Sequence, residues 1–296
     1  MSARITNYGM DRVASTSSYY PSSTDAYFER WHRYTAVGTG SSTPSESDVA
    51  LEAEVARTSD TGGFLKSETA ETDSTNNVVR YTSTTYRVFN FSASYNLTEY
   101  GHFTDSTGSN AVFRDLFRQD PNDPNSAAIT ISVQSGDQLQ IIKTFVLEVA
   151  WEAVAKTVTI TGIGDIAGTQ VVAAATTEFA TILGFLRGLW PGETSSTYVD
   201  MHPFSAAVGS TARDYSVSSS IGIGADGIRD TYTSGSYTLR TRFTYQTNEA
   251  NHEWYGWVAF GYRDAGVRFI PDTQPAFTKA DTYTLEIWLD VSWARG

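Results

Sequence analysis

Short blocks of this 296-residue chain recur in its second half, in the same order. FVLEVAW at 145–151 returns as IWLDVSW at 287–293, and EYGH at 99–102 resembles EWYGW at 253–257. The pair Phe113-Arg114 resembles Val267-Arg268, and HRYTAVG at 32–38 resembles HPFSAAVG at 202–209. Thr6, Gly9 and Arg12 align with Thr181, Gly184 and Arg187 at one common offset. An ordered series of this kind constrains the fold more than any single motif, because a repeated sequence implies a repeated structural unit. It predicts an internal duplication, with one unit over 1–165 and a more degenerate copy over 166–296.

Each unit reads as mainly β. Val78–Tyr95 is dominated by β-branched and aromatic residues. Leu139–Trp151 alternates, with Phe145, Leu147, Val149 and Trp151 on one face, and Leu97–Phe103, Val112–Phe117, Ile129–Val133 and Thr157–Ile163 are shorter strands. Tyr237–Gln246, Trp254–Gly261, Val267–Ile270 and Tyr283–Trp293 complete the set. Helices are short: one capped by Thr6 or Asn7, a turn over Asp25–His32, and an amphipathic stretch over Thr177–Leu189. Residues 58–77 read as a loop, GDIAG at 164–168 as a linker, and DPNDPN and Asp226-Gly227 as turns. The expected architecture is two tandem antiparallel β-sandwich-like domains with short helices.

Composition removes several functional classes. With no cysteine there is no disulfide, thiolate metal site or Cys nucleophile. A net charge of −12 without a basic cluster argues against a nucleic-acid binder, whose affinity rests on cations that neutralise phosphates. No stretch has the length of a membrane span, and MSARITNYGMDR lacks the apolar core of a signal peptide. Synthesis in a host cytoplasm is expected, with no membrane partner.

Residues that could carry chemistry read better as structure. Gly38 and Gly40 lack the Lys of a phosphate loop and read as turn glycines. His32, His102, His202 and His252 show no metal-ligand spacing and are expected in structural pairs, His32 with His202 and His102 with His252. Asp120, Asn122 and Asp123 lack the spaced glutamate of a calcium loop. Glu99 with Glu253, or Glu148 with Asp290, would suit a glycosidase pair only if the two acids met across one sugar bond. Their repeat-equivalent positions in different units argue against that. Glu99 and Glu253 are expected instead to cap turns or to pair with Arg114 and Arg268. No catalytic residue, metal or cofactor is therefore assigned. Trp254, Tyr255, Trp257, Phe260 and Tyr262 crowd one strand with aromatics on both faces. They form the candidate partner-contact surface, for a neighbouring subunit or for stacking on a glycan.

The blocks ITNYGMDR, YTAVGTG-x-x-x-P-x-x-x-D-x-x-L-x-x-E-V-A-R, NLTEYGHF, VFRDLF, ITISV and DQLQIIKTFVLEV together resemble a β-rich module of tailed-bacteriophage virion proteins, tail-, collar- and fibre-associated. The resemblance covers most of residues 5–151. It implies a structural role in the virion at a tail, collar, fibre-attachment or capsid-surface position. The implied partners are other virion proteins and copies of the same chain in a homo-oligomer. The alternatives are a receptor- or host-glycan-binding tail protein and, further off, a polysaccharide-degrading enzyme.

Overall fold

The computed structural model describes residues 4–13, 33–73, 75, 78–121, 123, 125–150, 153–160, 162–173, 200–207, 224–259 and 266–295. The expected helices at Asp25–His32 and Thr177–Leu189 lie outside them, as do His32, Phe260 and Tyr262.

The first half opens with β1 (Arg4–Ile5) and α1 (Asn7–Asp11). Thr6 is the N-cap, its hydroxyl accepting from Gly9 N at 3.0 Å and donating to Ala111 O at 2.6 Å, which ties the short helix to the sheet. There follow β2 (Tyr34–Gly38), β3 (Glu54–Thr58), β4 (Ser67–Asp73), β5 (Val78–Asn90) and β6 (Tyr95–Leu97). The half closes with β7 (Glu99–Phe103), β8 (Ala111–Leu116), β9 (Ile131–Val133) and β10 (Gln138–Ala150). The second half contains β11 (Val154–Ile160), β12 (Gly164–Ala173), β13 (Asp200–Pro203), β14 (Ala225–Arg229) and β15 (Thr238–Tyr245). It ends with β16 (Glu253–Trp254), β17 (Trp257–Ala259), β18 (Gly266–Pro271), β19 (Phe277–Thr278) and β20 (Leu285–Ser292). All the strand pairings are antiparallel.

The two halves repeat one topology. The first builds a sheet in the order β1-β8-β7-β2-β3, and the second uses β12-β18-β17-β13-β14. Beside each lies a layer containing a long pair, β5 with β10 and β15 with β20. Beside each also lies a two-stranded ribbon, β6 with β9 and β16 with β19. The cores fill the space between layers. In the first half Val37 from one layer meets Phe89 and Ile141 from the other, over Leu97 and Val133 of the ribbon. In the second, Met201, Trp257 and Phe269 meet Phe243, Tyr245 and Ile287 around Trp254.

Three segments depart from the expected layout. Residues 67–73 form an edge strand rather than loop: SETAETD is polar on both faces, so it carries no hydrophobic alternation, yet it pairs with Thr84–Val78 through its backbone. GDIAG is the start of β12 rather than a linker, because Gly162 turns the chain into a hairpin with β11 and Gly168 fits against β18, where a Cβ would meet Ile270 O at 2.5 Å. The division at 165/166 therefore falls inside a strand, and pairing groups residues from Val154 onward with the second half. Asp226-Gly227 sits within β14, where pairing passes from β13 to β15, and is not a turn.

The halves touch at α1. Asp11 Oδ1 accepts from Tyr232 Oη at 2.7 Å and from Gly235 N at 2.8 Å, and its other oxygen accepts from Ser234 Oγ. Trp293 Nε1 donates to Met10 O at 2.9 Å, and Arg295 Nε to Ile5 O at 2.9 Å.

Candidate functional site

The densest polar constellation in the described residues lies where the loop between β2 and β3 folds back over its sheet. At its centre is Glu99, fully buried at the start of β7. Its Oε1 accepts from Gly40 N at 3.0 Å and Ala53 N at 2.8 Å, and its Oε2 from Glu52 N at 3.1 Å and Arg114 Nε at 2.9 Å. Arg114, itself buried, donates onward from Nη1 to Asp48 Oδ2 at 2.7 Å and from Nη2 to Ser42 Oγ at 3.0 Å. Burial acts against the guanidinium charge, but the hydrogen bonds to Asp48 and Glu99 outweigh it and raise the Arg114 pKa. At the loop's outer turn the Glu52 carboxylate accepts from Ser42 N and Ser41 N, which holds its pKa below the usual range. Leu51 drops from the same loop onto Ala36, Phe103 and Ala111, further along the same face of the sheet.

Here the sequence expectation and the structure agree: Glu99 both caps a turn and pairs with Arg114. Four donors occupy a carboxylate that has four good acceptor positions. It has no solvent path and no unoccupied lone pair with which to take a substrate proton. Gly38 and Gly40 serve this carboxylate rather than a phosphate, since a Cβ would stand 2.6 Å and 2.4 Å from Glu99 Oε1 at the two positions.

Strand pairing gives a direct comparison with the second half. Gly101 stands opposite Arg114 and Ala36, and Val258 opposite Arg268 and His202. Upstream, Leu97 faces Ile131 as Trp254 faces Phe277. Both anchors make Gly256 the counterpart of Glu99, Phe204 that of Gly38, and Asn96 that of Glu253. The pairing of Glu253 with Arg268 expected from sequence is therefore replaced. Glu253 is exposed and accepts from Tyr255 Oη at 2.8 Å, while Arg268 lies over the Phe204 ring at 5.1 Å. A ring fits where the first half needs glycine because the facing residue has no side chain. Gly256 has φ +127°, and a Cβ there would meet Phe269 O at 2.4 Å.

The remaining acids are engaged one by one. Glu148 bonds Arg80 Nε at 2.7 Å, and Asp290 bonds Arg240 Nε at 2.7 Å. Each pair is directly opposed across its long strand pair, so here the repeat alignment matches the register. The described histidines do not converge. His102 shares a hydrogen bond with Thr35 Oγ1 and stacks on Phe113, while His252 Nδ1 lies 2.9 Å from Glu253 O. By register His202 corresponds to Ala36 and His102 to Ala259, so the expected histidine pairs are not structural equivalents. Asp120 and Asp123 serve a local turn, closed by Asn125 N on Asp123 Oδ1 at 2.8 Å. Among the described residues no three His, Cys, Asp or Glu side chains could hold a metal ion.

Three of the five candidate contact residues are described, and two of them face inward. Trp254 and Trp257 are buried in the chain's own core, Trp254 against Phe277 at 5.2 Å and Trp257 against Phe269 at 4.4 Å between ring centroids. β17 is covered on both faces and Trp254 takes the inner face of β16, so both tryptophans are core; among the described residues of the set, Tyr255, half-buried, reaches the surface. Among the described residues the exposed tryptophan is Trp288, 46% accessible on β20. Its outward position was legible in the alternation of 285–292, where Leu285 and Ile287 take the inner face. No protein-family model, curated protein or solved structure matches this chain. No helix among the described residues is long and apolar enough to cross a membrane.

Proposed function

We propose that this chain is a structural building block of a tailed-bacteriophage virion, at a tail, collar, fibre-attachment or capsid-surface position. The observation that carries the reading is the repeated strand order, in which acidic side chains eligible for catalysis act as internal ties. Glu99 holds a loop, Glu148 and Asp290 brace long strand pairs, and Asp11 joins the halves. The sequence resemblance over residues 5–151 supplies the virion context. The proposed mechanism is docking: rigid β-layers present faces and strand edges to neighbouring subunits, as large assembly contacts require. Mass spectrometry of purified particles tests it, with the chain expected at a fixed multiple of a known virion component. Its absence from washed particles that are otherwise complete would overturn the proposal.

A further inference from the structure

We propose that the outer face of β15 and β20 docks on the same face of a second copy of this chain. The inference deepens the building-block reading by naming one surface and its occupant. Ile228, Arg242 and Trp288 form a single row across β14, β15 and β20. Ile228 is 56% and Trp288 46% exposed, so the row carries a large apolar side chain open to solvent on either side of Arg242. Two arginines lie against the indole, with Arg240 Cζ at 5.7 Å and Arg242 Cζ at 5.5 Å from its centroid. Asp290 and Glu286 flank Trp288 on β20, bonded or close to Arg240 and Arg242 at 2.7 Å and 3.6 Å.

The charges are sorted by strand: both bases on β15, both acids on β20. A two-fold axis parallel to the strands, running between two such faces, lays each β15 over the partner's β20 without changing height along the strand. Arg240 of one copy then meets Asp290 of the other, and Arg242 meets Trp288. Every contact occurs twice, as an isologous interface demands. The face carries two positive and two negative side chains, so docking here does not work against the repulsion of a chain with net charge −12. The equivalent face of the first half is built differently. Arg80 is taken up by Glu71, Asp73 and Glu148, two of them from β4, which covers the flank that β14 leaves to Ile228.

The test uses the full-length chain with light scattering and sedimentation. The wild type is expected to be a dimer. Trp288→Gln, Arg240→Glu and Asp290→Arg should each raise its dissociation constant by roughly tenfold or more, as for central interface residues. An equimolar mixture of Arg240→Glu and Asp290→Arg should re-form a dimer that neither makes alone, since each cross-contact again joins opposite charges. Circular dichroism of each variant separates lost docking from lost folding, and the mixture rescues only folded chains. A monomeric wild type, a dimer indifferent to all three substitutions, or a monomer that binds polysaccharide through Trp288 would overturn the inference. The virion reading would then still stand or fall on particle composition.

Discussion

The two halves share a topology and differ in what occupies the joint between their central strands. In the first, a carboxylate at Glu99 holds Arg114 and three backbone N–H groups, and the facing strand carries Gly38. In the second, Gly256 takes the place of the carboxylate, and Phe204 fills the vacated space and covers Arg268. The fold therefore specifies a buried arginine on the outer face of the central strands without specifying its partner. A charged joint also organises a loop, because its spare acceptor positions can capture Gly40, Glu52 and Ala53. An aromatic joint offers that loop no acceptors.

The largest expected effect breaks the charged joint. Glu99→Ala leaves a buried guanidinium and three backbone donors without their acceptor, and should destabilise the first half by about 3–5 kcal/mol in denaturant unfolding. Phe204→Ala should cost about 3 kcal/mol in the second half, from lost burial and the cavity left behind. A graft sharpens the comparison further. Gly38→Phe alone should be as damaging as Glu99→Ala, because the ring would collide with the carboxylate. Gly38→Phe combined with Glu99→Gly should be milder than the sum of the two changes, by a coupling of about 1 kcal/mol or more in a double-mutant cycle. A strictly additive result would show that the two joints are not interchangeable solutions.

A smaller effect concerns the contact between halves. Burial would raise the Asp11 pKa, but hydrogen bonds from Ser234, Gly235 and Tyr232 outweigh it and hold it below the usual carboxylate range. Its contribution is then present above the unfolded pKa of about 3.9 and is lost as pH falls through the lower folded value. Asp11→Asn should cost on the order of 1 kcal/mol at neutral pH, and the gap from wild type should narrow toward acid in pH-dependent thermal unfolding. The smallest effect is expected for Arg240→Ala in a dilute, monomeric sample. The Arg240–Asp290 pair is solvent-exposed, where water and salt screen most of its attraction, so the thermal midpoint should barely move.

The sequence made some of this legible. Repeat order pointed to two related β-units, and the pairing of Glu99 with Arg114 was among the expectations. Register did not follow, because a conserved-looking acid is not a conserved position: Glu253 lies three residues upstream of the true counterpart, Gly256, and one-letter similarity hid the shift. Polar edge strands were also illegible, since β4 is held by its backbone and SETAETD shows no apolar face. The aromatic cluster misled for a related reason. Alternation separates inside from outside only where one face meets water, and β17 is covered on both.

One further consequence follows from β14. It hydrogen-bonds to β13 at one end and β15 at the other, so the second half's two layers form a single continuous sheet. In the first half the corresponding passage is divided between β3 and β4, with the intervening loop touching β5 through Val88 N on Asp60 O. Under tension a continuous sheet loads its inter-strand bonds together in shear, whereas a jointed one yields first at the joint. A pull applied at the chain's C-terminal strand would therefore be resisted by a unit whose layers cannot slide apart without breaking that shared strand.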